Sequence, residues 1–349
     1  MIFTNSVPGR FSHMRSDSIH LPSAPTLPGL RFRRFQGDSD FPLMVPVANA
    51  CFSADNTEIV RAVDETRKSY SELVNCDPYD DMILAEMNGE LIGYVRGWWW
   101  AELAGPIIYC HLGFVVPAWR RKGIGRAMLH WMQGRQRAIA STSTSGTEHI
   151  FQVSATQYEV GLTALLRGDG FQPTRYFFSM VRPHLDNIQD FALPAGVELR
   201  PVLPEHYRLI WNASRAAFAQ HWGMGAHREQ AYDAWLVDKD IFQPHLWQVA
   251  WDIASNQIVG QIRTYIYEPY NRNFQRRRGW TEFVSVHKDW RKRGLARALV
   301  SHSLRAQRDA GMTESALGVD SENATGATRV YETCGFQVVK TNTVYRKSM

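Results

Sequence analysis

The 349-residue sequence lacks the features that place a protein in a membrane or on a secretory route. Its apolar runs are strand-sized and interrupted, whereas a transmembrane helix needs about 20 consecutive apolar residues. The segment 1–29 has no apolar core of the kind found in signal peptides. We therefore expect a cytoplasmic protein with no membrane partner.

Cysteine is also scarce, with four residues spread over the whole chain and no Cys-x-x-Cys pair. Small domains that depend on disulfides are dense in cysteine, and structural zinc sites place paired ligands at short spacings. The sequence therefore predicts neither a disulfide framework nor a metal site. The four cysteines are Cys51, Cys76, Cys110 and Cys334.

The charge balance is basic, with a formal net charge of +5 and a pI of about 9.0. Such a balance suits either nucleic acid or a small polyanion. Binding of single-stranded nucleic acid would need aromatic residues interleaved with the basic ones, and the basic clusters offer only Trp119 and Trp290. We expect a small polyanionic ligand and no nucleic acid. The further run Arg276–Arg278 is expected in a solvated loop.

One stretch joins a predicted strand to a predicted helix through a basic turn. Residues 279–287 alternate as a strand does, and apolar residues recur at helical spacing from Leu295 onward. Small residues at Gly294 and Ala296 leave the amides of the first helical turn accessible. Those amides lack partners inside the helix and form a phosphate or pyrophosphate site. The candidate residues are Arg291, Lys292, Arg293, Gly294, Leu295, Ala296 and Arg297.

This Arg-x-x-Gly-x-Ala turn after a strand resembles the acyl-CoA signature of the GNAT N-acetyltransferases. Asp320–Asn323 and Tyr331–Phe336 resemble the closing half of that family, in the same order and spacing. There is no Gly-x-Gly-x-x-Gly dinucleotide fingerprint. The resemblance implies a mixed α/β fold with a central sheet flanked by helices. It also implies acetyl-CoA as co-substrate and an amine-bearing acceptor.

The signature occurs a second time, earlier in the chain, at Trp119–Arg126. The two copies are 171 residues apart, Gly93 and Gly260 are 167 apart, and Gly170 and Gly335 are 165 apart. A period of this size indicates a duplicated domain. We predict a flexible arm (1–28), a first GNAT-like domain (29–182), a linker (183–194) and a second domain (195–349). The first copy's candidate cofactor residues are Gly113, Phe114, Val115, Arg120, Arg121, Lys122, Gly123, Ile124, Gly125 and Arg126.

The resemblance assigns chemical roles in the second copy. The cofactor's pantetheine arm is expected to pair with Val284, Ser285 and Val286, where a backbone amide would polarise the thioester. Tyr331 is the candidate acid for the thiolate, with a merely packed tyrosine as the alternative. Glu282 is the candidate base, with a solvated carboxylate as the alternative.

Three further residues have two interpretations each. Asn323 resembles the family's pantetheine contact and also suits a helix N-cap, and both can hold at once. His221 and Trp222 follow a predicted helix, where the family often builds its acceptor pocket, or they simply end that helix at a glycine.

The two copies differ in their chemistry. By offset, His111 stands at the place of Glu282, Leu166 at that of Tyr331 and Tyr158 at that of Asn323. The first copy thus keeps the turn and loses the acid, as in tandem GNAT proteins whose C-terminal half is catalytic. We expect an N-acetyltransferase that acts on a primary amine of a small molecule or peptide, as a monomer or homodimer. The alternatives are a non-catalytic acyl-CoA-binding protein and a basic nucleic-acid-binding module.

Overall fold

A computed structural model gives the fold and describes residues 18–103, 105–143, 146–219, 221–225, 230–323 and 326–349. We call the chain up to Arg182 the first half and the chain from Pro183 onward the second half. The elements of the first half are β1 (Leu30–Arg34), α1 (Phe41–Ala54), α2 (Val63–Ser71), β2 (Met82–Met87), β3 (Glu90–Ala101), β4 (Ile107–Val115), α3 (Ile124–Ala140), β5 (His149–Thr156), α4 (Val160–Gly168) and β6 (Gln172–Arg182).

The second half repeats this order with two additions, α7 and a broken strand. Its elements are β7 (Val197–Leu199), α5 (Tyr207–Phe218), α6 (Gln230–Val237), β8 (Gln248–Asp252), β9 (Gln257–Ile262), α7 (Glu268–Phe274), β10 (Arg278–Trp280), β11 (Ser285–Val286), α8 (Leu295–Asp309), β12 (Glu314–Asp320), α9 (Ala327–Thr333) and β13 (Gln337–Ser348). No helix among these is long and apolar enough to cross a membrane.

The strands form two sheets, and the last strand of each half lies in the sheet of the other. The larger sheet has the order β1-β2-β3-β4-β5-β13-β6-β12-β10, and the smaller has β11-β9-β8-β7. β13 therefore pairs with β5 of the first half, and β6 pairs with β12 of the second. The predicted mixed α/β fold, with helices flanking the sheets, is confirmed. The exchange of final strands was not predicted.

Local sequence accounts for several of these elements. Asn88 and Gly89 both take positive φ angles, 52° and 87°, as the tight turn between β2 and β3 requires. A Cβ at position 260 would clash with Leu295 and Leu299 of α8, so the position suits glycine. This close approach brings α8 against β9 and fixes where the helix begins.

Residues 18–28 are packed, in contrast to the flexible arm predicted for residues 1–28. Residues 1–17 lie outside the described part of the chain. Leu21 is 2% exposed and contacts the same apolar cluster as α3. Leu185, in the predicted linker, is equally buried in the cluster around α8. Both segments lead into a left-handed glycine, Gly29 (φ 85°) and Gly196 (φ 81°), so the repeated unit includes them.

The two halves also meet at a cluster of charged groups. Arg278 is 5% exposed, with Nη1 3.2 Å from Glu58 Oε2 and Nε 2.9 Å from Glu314 Oε1. Arg276 lies 2.8 Å from Glu58, and the Tyr270 hydroxyl donates to Glu58 at 2.7 Å. The expectation that Arg276–Arg278 lies in a solvated loop is therefore wrong, because the guanidinium groups of Arg276 and Arg278 bind Glu58 of the first half.

The exchange of strands leads to a first prediction. Expressed separately, segments 1–182 and 183–349 should each fail to unfold cooperatively, because β5 and β12 each lose a strand partner. Expressed together, they should form a soluble complex that is captured by a tag on either segment. A monomeric segment 183–349 with a sharp thermal transition would contradict this.

Candidate active site

A cleft of about 920 Å³ opens in the second half where the two sheets separate. β10 stays with β12 in the larger sheet, and β11 stays with β9 in the smaller one. Most of the residues predicted for this half line the cleft. They are His221, Glu282, Val284, Ser285, Val286, Arg291, Lys292, Gly294, Leu295, Ala296, Arg297, Asn323 and Tyr331. Arg293 does not line it and lies over the Trp290 ring, 4.9 Å from the centroid.

The basic turn is shaped by two left-handed residues, Lys292 (φ 61°) and Gly294 (φ 85°). α8 begins directly after them, and Gly294 at its N-cap offers no side chain to the free amides of the first turn. The exposed Arg291 donates from Nε to the Val286 carbonyl at 3.2 Å. Free amides, the positive end of the helix dipole and nearby cations form a site that fits a pyrophosphate.

The alternating strand predicted over residues 279–287 is broken. Gln261 pairs with Ser285, and Tyr265 forms a bridge to Trp280. The chain advances four residues from Gln261 to Tyr265, whereas the facing segment advances five residues from Trp280 to Ser285. This is a β-bulge, and Phe283 within it has a φ of 52°. The alternation implied that Glu282 and Val284 lie on one face of a regular strand. Because of the bulge, they do not.

The bulge presents Glu282 to the cleft. The Gly318 N–H of β12 donates to Glu282 Oε1 at 3.0 Å, and the Arg263 N–H donates to the Glu282 carbonyl at 3.0 Å. Burial raises the pKa of this carboxyl to about 7. Such a value suits a group that accepts a proton near neutral pH. Glu282 is half-buried, and its carboxylate accepts the Gly318 amide at the edge of the cleft.

Tyr331 lies on α9 at the inner wall of the cleft and is 6% exposed. Its ring packs against Phe336, with centroids 6.1 Å apart. Burial and, to a smaller extent, the charge of Glu282 raise the pKa of its phenol. The hydroxyl therefore keeps its proton at neutral pH and can donate it.

Asn323 lines the cleft, but the N-cap expected of it is wrong. α9 begins at Ala327, and the N-cap is Gly326, with a φ of 70°. The Asn323 carbonyl accepts the Gly326 N–H at 3.0 Å, so the residue belongs to the turn before the helix.

His221 and Trp222 have different environments. His221 lines the cleft, and burial lowers the pKa of its imidazole. Trp222 does not line the cleft and lies under two guanidinium groups, those of Arg346 (4.1 Å) and Arg175 (5.7 Å). Trp222 therefore fixes the loop that carries His221.

Part of the cleft wall comes from strands that sequence reasoning did not connect to it. Phe177, Phe178 and Ser179 of β6 line the cleft, as does Asn342 of β13. β6 belongs to the first half and reaches the site through its pairing with β12. No local pattern signals this, because the pairing joins segments about 140 residues apart.

The first half has a cleft of its own, about 1170 Å³ in volume. The predicted residues that line it are Gly113, Phe114, Val115, Arg120, Arg121, Gly123, Gly125 and Arg126. The other two do not. Lys122 lies over the Trp119 ring at 4.3 Å, and Ile124 is fully buried in the core.

The two basic turns share their backbone geometry and differ in their first arginine. Arg121 (φ 63°) and Gly123 (φ 87°) repeat the angles of the second turn. Arg120 forms a two-pronged ion pair with Asp55, at 2.6 and 2.7 Å. Arg291 has no such acidic partner within the described residues. Its guanidinium is thus more available to an anionic ligand than that of Arg120.

The structure also corrects the equivalence of His111 and Glu282. In the first half Tyr94 pairs with Phe114 and Trp98 pairs with Cys110. Both β3 and β4 advance four residues between these pairs, so β4 has no bulge. His111 pairs with Gly97, which places it at the position of Thr281. Burial lowers the pKa of His111 to about 4, so it is neutral at pH 7. Leu112 pairs with Arg96 where Glu282 and Phe283 both contact Arg263, so the first half has no carboxylate at this place.

Two family models match the chain and together cover more than half of it. The model described as "Acetyltransferase (GNAT) family" matches residues 207–336, and "Acetyltransferase (GNAT) domain" matches residues 78–159. The chain belongs to the GNAT acetyltransferase family. It contains two GNAT domains, and it is an N-acetyltransferase by family.

Relatives of known name support the tandem architecture. The mycothiol acetyltransferase of Streptomyces bingchenggensis (strain BCW-1) is 27% identical over 277 residues, 76% of this chain and 80% of the relative. That of Salinispora tropica (strain ATCC BAA-916 / DSM 44818 / JCM 13857 / NBRC 105044 / CNB-440) is 27% identical over 317 residues, 86% and 94% of the two chains. The predicted tandem GNAT architecture is confirmed, and it is similar to that of mycothiol synthase.

Solved structures show the same fold. A GCN5-related N-acetyltransferase from Sphaerobacter thermophilus superposes with a TM-score of 0.72 at 23% identity, covering 92% of this chain and 96% of that one. A tandem GNAT protein from the clavulanic acid biosynthesis pathway superposes with a TM-score of 0.61 at 16% identity, covering 91% and 98%.

The raised pKa of Glu282 leads to a pH prediction for this acetyltransferase. We expect kcat/KM to rise with pH through an apparent pKa near 7 and then to level off, because the carboxyl accepts a proton only when ionised. Glu282→Gln should lower activity by about 10²- to 10⁴-fold near neutral pH, with partial recovery at high pH, where the acceptor amine is already deprotonated.

Stability separates this effect from misfolding. A carboxyl whose pKa is raised in the folded state stabilises the fold at low pH, and that contribution is lost as pH rises through 7. Glu282→Gln should therefore melt at or above the wild-type temperature at pH 8. Glu332→Gln, on the exposed side of α9, is the matched control and should keep wild-type kinetics. A loss of activity for Glu282→Gln that is equal at every pH would point to packing instead.

Proposed function

We propose that this chain is an acetyl-CoA-dependent N-acetyltransferase that acetylates a primary amine of a small molecule or peptide in its second half. The observation that carries the proposal is that one cleft contains the pyrophosphate turn, Glu282 and Tyr331. The runner-up, a non-catalytic acyl-CoA-binding protein, has no need of a carboxyl with a pKa near 7 beside a protonated phenol.

Each step of the transfer has a residue to perform it. The amides and cations at Arg291–Arg297 hold the phosphates, and the strand Val284–Val286 pairs with the pantetheine arm. Glu282 takes a proton from the acceptor ammonium, directly or through water. The amine nitrogen attacks the thioester carbonyl, whose oxygen is stabilised by a backbone N–H of that strand. The C–S bond then breaks, Tyr331 protonates the departing thiolate, and the proton that the amide nitrogen loses restores the phenol.

The first half is proposed to bind acyl-CoA without performing the transfer. Its turn has the same left-handed geometry as the second turn. Leu166, at the position of Tyr331, is fully buried and carries no proton to donate. Leu112, which pairs with Arg96 where Glu282 bonds to Arg263, offers no carboxylate.

The acceptor is the remaining question for this function. Relatives with this architecture carry the name mycothiol acetyltransferase. The unacetylated form of mycothiol is therefore the first acceptor to test, within a wider screen of primary amines in which the release of free thiol is measured.

Tyr331→Phe should lower kcat by about 10²- to 10⁴-fold and leave the affinity for acetyl-CoA nearly unchanged, because only the proton donor is removed. Steady-state kinetics and calorimetry measure the two quantities. Tyr345→Phe is the control, since Tyr345 is also buried but lies outside the cleft. Wild-type turnover in Tyr331→Phe would remove this residue from the mechanism.

The two turns should differ in their effect on turnover. Gly294→Glu should abolish it, because the side chain fills the second turn and repels phosphate. Gly123→Glu should remove one equivalent of bound acyl-CoA and leave much of the turnover. Because both glycines are left-handed, Gly294→Ala and Gly123→Ala control for backbone strain. Loss of activity in Gly123→Glu alone, with the protein folded, would place catalysis in the first half.

A further inference from the structure

A buried arginine lies directly behind the bulge that carries Glu282. Arg263 is 5% exposed, and its guanidinium carbon is 3.9 Å from the centroid of the Phe283 ring. Its Nη2 donates to the Ser214 hydroxyl at 3.3 Å, while Nε and Nη1 have no hydrogen-bond partner among the described residues. Burying a cation with so few partners is unfavourable, and its contacts with the Phe283 ring and, at 5.3 Å, the Trp235 ring offset the cost.

Phe283 itself needs such a partner. It has a φ of 52°, a region that aromatic residues seldom occupy. Its ring is 40% exposed, so burial of apolar surface contributes little to holding it there. The backbone conformation that presents Glu282 is therefore stabilised by contacts outside the bulge, and the Arg263 guanidinium is the closest cation to this ring.

Arg263 contacts the bulge at two successive residues. Its backbone N–H donates to the Glu282 carbonyl at 3.0 Å, and its side chain stacks on the following ring. Along β9 and its extension, Ile262 packs toward α8, whereas Gln261 and Arg263 bond to α5. Arg263 therefore supports the bulge from the α5 side, while the Gly318 N–H binds the Glu282 carboxylate from β12.

The first half provides a natural comparison. Arg96 stands 167 residues before Arg263, the same offset as Gly93 and Gly260, and its Nε and Nη1 are also unpartnered. Arg96 pairs with Leu112, and β4 continues through this point without a bulge. Its guanidinium lies instead over the Tyr70 ring, at 4.6 Å. Both halves have this arginine. Only in the second half is the ring on which it stacks, that of Phe283, next in the chain to the proposed base Glu282.

We infer that Arg263 is a positioning residue that, by stacking on Phe283, holds the bulge in the conformation that presents the Glu282 carboxylate to the acceptor amine. The inference rests on the proposed function, because it acts through Glu282. The other titratable groups near that carboxylate, Tyr265 and Tyr331, are neutral at the pH of catalysis, and Arg263 contacts the bulge at the Glu282 carbonyl and the Phe283 ring and not at the carboxylate.

The test compares Arg263→Met with Arg96→Met, the same change at the twin position. Arg263→Met should lower kcat by about 10²-fold, the usual effect of a displaced catalytic group, with acetyl-CoA affinity unchanged by calorimetry. The acid limb of the pH–rate profile should move away from 7, because the carboxylate no longer lies against the Gly318 N–H. Arg96→Met should keep kcat within a few-fold of wild type and leave the limb in place.

Two further variants sharpen the result. Phe283→Leu introduces the residue of the first half and should cost as much as Arg263→Met. The double variant should cost no more than either single change, because both remove one stack. Arg263→Lys, which keeps the charge and loses the planar stack, should recover little.

The inference is overturned if Arg263→Met keeps wild-type kcat and pH profile, or if Arg96→Met loses activity equally, which would indicate a general role in folding. It is also overturned if the Arg263 and Phe283 effects add. Glu282→Gln is the reference. If that variant is fully active, the assignment of the base is wrong and the positioning role falls with it. If it is inactive while Arg263→Met is active, only the positioning role falls.

Discussion

The structure depends above all on the exchange of final strands between its halves. β13 completes the sheet of the first half and β6 completes that of the second, so nine strands form one continuous sheet. The exchange is reinforced where Arg175 of β6 forms an ion pair with Asp320 of β12 at 2.8 Å. The second half does not contain all the strands that line its cleft, since β6 of the first half forms part of the wall.

Function follows from this sharing. Phe177 and Phe178 of the first half form part of the wall of the second cleft, and the loop carrying His221 is fixed by Trp222 under Arg175 and Arg346. The first half thus forms part of the wall of the second cleft.

The two halves keep a common frame and diverge by small steps. Both basic turns have the same left-handed residues, and both halves bury an arginine at the same repeat position. The second half differs by one inserted residue, which breaks the strand at Thr281–Val284, and its Glu282 lines the cleft. In the first half the unbroken strand buries the neutral His111. Asp55 forms an ion pair with Arg120, the first arginine of the turn.

The sequence by itself determined the features that are written locally. The strand–turn–helix signature, its recurrence and the hairpin at Asn88-Gly89 all depend on residues close in the chain. They identified the family, and most of the residues they predicted for the second half line its cleft. Tertiary structure alone decided the strand exchange, the bulge at Phe283 and the packing of residues 18–28. It also decided the burial of Arg278, which we had expected in a solvated loop because it belongs to a basic run. These features depend on which distant segments pair, and a local pattern does not encode that. The register of Glu282 is the clearest case, because a one-residue bulge is visible only when the partner strand shows how many residues it faces.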